Sequence, residues 1–109
     1  MKINFKNTWR PLPSCVTIKQ SEIDGLGLFA VKDIPANTNL GLMRLKYNEE
    51  WIRTALGSYP NHSETSSCIN VCYKNLYGDE EFYLITAKDL VAGDELTLTY
   101  QMPEYHQTD

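Results

Sequence analysis

Ala92-Gly-Asp-Glu-Leu-Thr-Leu-Thr-Tyr100 reads as a turn followed by a strand: Gly93 and Asp94 break the chain, then leucine alternates with threonine. Alternation with a period of two lays one face on a core and the other toward solvent, which is the pattern of a β-strand. The same signature recurs upstream. Cys15-Val-Thr-Ile-Lys19 is a first strand, Asp24-Gly-Leu-Gly27 a turn, and Leu28 to Val31 a second strand. Ile34 to Asn39 is a loop, and Leu40 to Tyr47 a third strand. Ile69 to Asn75 and Phe82 to Ala87 flank Gly78-Asp79 as a hairpin. One helix interrupts this series, predicted over Asn48 to Gly57: Asn48 caps it, Glu49 and Glu50 favour its first turn, and Gly57 ends it. Trp51, Ile52, Ala55 and Leu56 would then share its buried face. The expectation is a mostly β domain of short strands with one short helix.

The 109 residues suffice for a single core. Residues 1–14, polar and closing on Pro11-Leu-Pro13, are expected to form an N-terminal arm, and 15–109 one domain whose short tail is 101–109. A hydrophobic fraction of 42% excludes wholesale disorder. No apolar run approaches the roughly 20 residues of a membrane helix, and the opening MKINFKNTWR lacks the apolar centre of a secretory signal. An intracellular, non-secreted protein is expected, in the cytoplasm or in a host cell's interior or nucleus. Ten Lys and Arg against fourteen Asp and Glu give a net charge of −4, so direct nucleic-acid binding is not expected and a basic partner is favoured. The run Gly78-Asp-Glu-Glu81 is a solvated turn able to attract a basic segment.

Three cysteines, Cys15, Cys68 and Cys72, are too few and odd in number for a disulfide framework. On a straight strand Cys68 and Cys72 lie about 13 Å apart at about 3.3 Å per residue. One zinc, with sulfur ligands at about 2.3 Å, cannot span that; no metal is expected, and both read as buried thiols.

The stretches that carry chemistry are Asp24-Gly-Leu-Gly-Leu-Phe-Ala30, Tyr59-Pro-Asn-His-Ser63 continuing to Cys68-Ile69, and Ala92 to Tyr100. Gly25 and Gly27 allow a ligand close to the backbone. Asn61 both donates and accepts hydrogen bonds, which suits an amino-acid head group or a purine edge. Alone, each is also readable as a turn, a tethered loop and a packed strand end.

In this order and spacing they resemble the SET domain of protein lysine methyltransferases, in a minimal form of the viral and bacterial type. Gly25-Leu-Gly27-Leu-Phe-Ala30 is similar to the first family motif, and Asn61-His-Ser63 with Cys68 to the pattern Asn-His-Ser-x-x-Pro-Asn-Cys. Gly93-Asp-Glu-Leu-Thr-Leu-Thr-Tyr100 is similar to the closing Gly-Glu-Glu-Leu-Thr-x-x-Tyr, and Ile34-Pro-Ala-Asn37 to the intervening Ile-x-x-Gly turn. Ser66-Ser67 stands where the family has Pro-Asn.

The resemblance covers residues 15 to 100 and implies a β-clip with a C-terminal pseudoknot. It also implies S-adenosylmethionine as cofactor, with S-adenosylhomocysteine as product and no metal. Gly25, Leu26 and Gly27 would hold that cofactor through the backbone, Asn61 and His62 its methionine and adenine ends, and Tyr100 would be catalytic. Leu98 and Tyr105 would line the substrate channel. Leu98 occupies the position of an aromatic residue that limits methylation, which favours adding more than one methyl.

The implied partner is a lysine-bearing protein or peptide, histone-like among others, and the short Leu40–Ser58 segment shapes its groove; a homodimer would complete that groove. The sequence leaves open a second class, a non-catalytic SET-like module that binds a protein partner.

Overall fold

The computed structural model describes residues 11–99 and the backbone of 105–108. Ten elements follow one another: β1 (Val16–Gln20), β2 (Leu26–Ala30), β3 (Asn39–Tyr47), β4 (Glu50–Arg53), α1 (Ala55–Ser58), β5 (Asn61–His62), β6 (Cys68–Lys74), β7 (Glu80–Thr86), β8 (Glu95–Leu98) and β9 (Tyr105–Thr108). They build two sheets, β1-β2-β8-β5 and β4-β3-β7-β6-β9. The fold is mostly β, as the alternating pattern predicts.

Most pairings are antiparallel. The exceptions are β5 on β8, which sets Asn61 beside Thr97 and His62 beside Leu98, and β9 on β6. The two segments expected to thread in the pseudoknot, that around Asn61-His62 and the last strand before Tyr100, lie side by side as β5 and β8; Tyr100 and the first ten residues of the expected arm lie outside the described residues. Strand β9 falls within the expected tail and was not read from the sequence.

Between the sheets lies one core of Leu28, Ile34, Leu40, Met43, Leu56, Cys68, Leu84, Leu90, Leu96 and Leu98, with Val16 and Ala30. Burying each large side chain contributes about 1.5–3 kcal/mol. Both sheets supply it: β2 and β8 through Leu28, Leu96 and Leu98, β7 through Leu84. Ile34 and Leu90, from two separate loops, exchange backbone hydrogen bonds of 2.9 and 2.8 Å and close the core's flank. Buried Thr86 is satisfied there too, donating to the Pro35 carbonyl at 2.7 Å and accepting from Thr38 N–H at 2.9 Å.

The predicted helix over 48–57 is corrected. Only Ala55–Ser58 is helical, and Glu50–Arg53 is a strand that returns along β3, pairing Trp51 with Lys46 and Ile52 with Leu45. Asn48 and Glu49 take the left-handed conformation, at φ 50° and 66°. Two successive positive-φ residues make a tight hairpin connection, and asparagine tolerates that region well. Trp51 and Ile52 are therefore not on a buried helix face; they are 56% and 50% exposed.

Candidate functional site

The loop from Ser21 to Gly25 is closed by Ser21 N–H donating to the Gly25 carbonyl at 2.7 Å, while the Ser21 hydroxyl accepts from Ile23 N–H at 2.9 Å. Gly25 completes the turn at φ +45°, and an added side chain there would meet open space. Gly27 differs. A methyl at its Cα would overlap Glu95 Oε2, because the carboxylate of Glu95 occupies the place that a Cβ would fill. Two neighbours pin that carboxylate: the Ser21 hydroxyl lies 2.9 Å from both of its oxygens, and Asn61 Nδ2 donates to Oε2 at 2.9 Å.

Asn61 Nδ2 also reaches the carbonyls of Asp24 at 3.0 Å and Leu26 at 3.4 Å. One amide thus ties the Gly25-Leu26-Gly27 turn to β5 and to the first residue of β8. With its N–H groups engaged in these bonds, Asn61 has Oδ1 as its remaining polar atom, and an acceptor suits an ammonium group.

The crossing beneath this cluster is held by hydroxyls. Ser67 Oγ donates to the Glu95 carbonyl and accepts from Thr97 N–H, each at 3.0 Å, while Thr97 Oγ1 accepts from Ser67 N–H at 3.1 Å. Thr99 Oγ1 donates to the Ser63 carbonyl at 2.6 Å and lies 3.0 Å from Ser66 Oγ. Ser66 and Ser67 thereby anchor the segment between β5 and β6 on β8 without the Pro-Asn pair of the family pattern.

The structure brings together Gly25, Leu26, Gly27 and Asn61, and sets His62 next to them in β5. Leu98 is buried in the core beside His62. Tyr100 lies outside the described residues, and of Tyr105 only the backbone is described, paired with Val71. Sequence reasoning missed the role of Glu95. A carboxylate opening a strand directly after the Gly93-Asp94 turn was a weak signal that pointed to no partner.

Cys68 and Cys72 both sit in β6, and burial pushes each thiol up to about 11; for Cys72 its hydrogen bond to Glu80 adds to the rise. Both stay protonated at neutral pH, and a thiol is a poor nucleophile. Ellman's reagent at pH 7.5 is expected to titrate Cys15 in the native protein and all three cysteines after unfolding. Native reaction at Cys68 or Cys72 would contradict this placement.

No family model and no curated protein sequence matches the chain. Solved structures do. The fold is similar to that of a Plasmodium falciparum protein assigned as a histone methyltransferase, with a TM-score of 0.68 and 17% identity over 84% of this chain and 96% of that one. It is also similar to part of the Chaetomium thermophilum Polycomb Repressive Complex 2 bound to GSK126, with a TM-score of 0.64 and 19% identity over 79% of this chain. The same complex, autoinhibited and bound to S-adenosylmethionine, gives a TM-score of 0.65 and 18% identity. This chain spans 15% of the length of that last chain and 16% of the GSK126-bound one. At these identities the likeness is one of fold.

Proposed function

We propose that this chain is an S-adenosylmethionine-dependent methyltransferase of the SET type that acts on a lysine side chain of a protein. The observation that carries the reading is the Asn61 clamp. Asn61 fixes the Gly25-Leu26-Gly27 turn against β8 in a fold similar to that of a protein assigned as a histone methyltransferase and of a Polycomb Repressive Complex 2 chain bound to this cofactor.

The residues present fit the cofactor. Gly25 leaves open space above the turn, Asn61 Oδ1 is set to accept from an α-ammonium, and His62 continues the same strand. When bound, the sulfonium supplies an electrophilic methyl group. The protein's part is to orient a neutral amine toward it and to exclude water. Leu98 belongs to the core, so in this reading the channel rests on Tyr105: it would desolvate the lysine and favour its uncharged form, positioning would lower the barrier, and the Tyr100 oxygen would stabilise the partial positive charge that develops.

Isothermal titration of the purified protein with S-adenosylmethionine and S-adenosylhomocysteine tests the reading without a known substrate. Saturable binding of both is expected, weakened about tenfold or more by Asn61→Ala, which removes hydrogen bonds to a carboxylate and two carbonyls. Folded protein that binds neither ligand would favour the non-catalytic module.

A further inference from the structure

A recess of about 690 Å³ opens between the β3–β4 hairpin and β7, lined by Arg44, Trp51, Ile52, Arg53, Glu80 and Phe82. None of these residues belongs to the Gly25–Asn61–Glu95 cluster. The strand register sets Arg44 directly opposite Arg53 and Lys46 opposite Trp51. Like charges paired across strands are destabilising, and Arg44 responds: burial first, then the charge of Arg53, lower its pKa. Among the described residues, twelve are acidic and seven are Lys or Arg, yet two of those seven, Arg44 and Arg53, line this recess beside one carboxylate, Glu80, and Lys46, paired with Glu80, reaches its rim over Trp51. The lining of this recess is therefore net positive on a molecule that is net negative.

The recess is also aromatic. Trp51 is 56% exposed, with its ring 5.5 Å from that of buried Phe82. The Arg44 guanidinium stands 4.4 Å from the Phe82 centroid and 5.4 Å from that of Trp51, and Lys46 Nζ lies 5.6 Å from Trp51. An indole held among cations presents a stacking surface whose flanks accept carboxylates.

We infer that this recess is a docking site for an acidic segment of a protein partner, with an apolar or aromatic residue against Trp51 and carboxylates on Arg53 and Lys46. The overall charge of −4 and Glu80 disfavour a polyphosphate backbone, which requires an extended positive surface. The site does not rest on the cofactor reading, but Arg44, Trp51, Ile52 and Arg53 fall in the 40–58 segment that the resemblance gives to the substrate groove, and a cationic lining there disfavours a lysine-rich occupant.

Fluorescence anisotropy with a labelled peptide of glutamates flanking one phenylalanine tests the inference, with the glutamine version of the peptide and single-stranded oligothymidine as comparisons. Saturable binding of the glutamate peptide is expected, lost at high salt. Arg53→Ala and Trp51→Ala should each weaken it about fivefold, whereas Lys88→Ala, which removes an exposed cation elsewhere, should leave it unchanged. Failure to bind, equal binding of the glutamine peptide, equal losses in the Lys88 variant, or tighter binding of oligothymidine would each overturn it.

Discussion

Gly27→Ala is expected to reduce S-adenosylmethionine affinity about thirtyfold or more and to lower the melting temperature as well. The new methyl would overlap Glu95 Oε2 and crowd Cβ of Ser21 at 3.1 Å. The carboxylate must then leave its place and forfeit the bonds from Ser21 and Asn61. Hydrogen bonds to a charged group contribute about 1.5–3 kcal/mol, and their loss frees Asn61 from the turn it orders. The double variant Gly27→Ala/Glu95→Ala distinguishes this account from general damage. With the carboxylate already gone, the methyl meets less resistance, so the two losses should fall short of additivity by about 1 kcal/mol or more. Strictly additive losses in melting and in titration would refute the cradle.

Gly57→Ala carries the largest expected loss of stability, and its sign is informative. By helix propensity alone, alanine in a helix stabilises by up to about 1 kcal/mol relative to glycine. Here the Cβ would overlap the Met43 carbonyl oxygen and approach Arg53 Cγ to 3.3 Å. That carbonyl accepts from both the N–H and the hydroxyl of Thr54, each at 2.9 Å, and β3 is paired on both sides, by β4 and β7. The backbone cannot retreat cheaply, and overpacking costs about 1–3 kcal/mol. At about 4–8 °C per kcal/mol for a domain of this size, the melting temperature should fall by about 10 °C. An unchanged or raised value would show that α1 moves freely over β3.

Where the sequence alternates, it is legible. The strands predicted at Cys15–Lys19, Leu28–Val31, Leu40–Tyr47, Ile69–Asn75 and Phe82–Ala87 match β1, β2, β3, β6 and β7 within about two residues at each end. The segment 48–57 was misread because Asn48-Glu49-Glu50 carries the signs of a helix start, and Trp51, Ile52, Ala55 and Leu56 have helical spacing. The same residues also suit a hairpin, and pairing with β3, a partner that periodicity cannot see, decides between the two. Ala55 and Leu56 alone keep the helical reading.

The site divides in the same way. That Gly25, Leu26, Gly27 and Asn61 come together was expected from their order along the chain, and Asn61 does bond the turn. Glu95 was not legible, because its role depends on the absent side chain of Gly27 and on Ser21, 74 residues away in sequence. A short two-residue strand such as β5 is likewise invisible to alternation. It exists because Asn61 and His62 find Thr97 and Leu98 beside them.

The parallel seat of β5 on β8 has a consequence for how the protein comes into being. The cradle joins the β1–β2 hairpin, β5 and β8, with Ser21 and Glu95 lying 74 residues apart in sequence, so no single hairpin contains it. During synthesis the Gly25 turn waits, without its carboxylate partner, until Glu95 has left the ribosome. Closing such distant pairings before their contacts reward the lost entropy makes folding slow. The clamp on the turn therefore forms only once β8 has docked beside both β2 and β5.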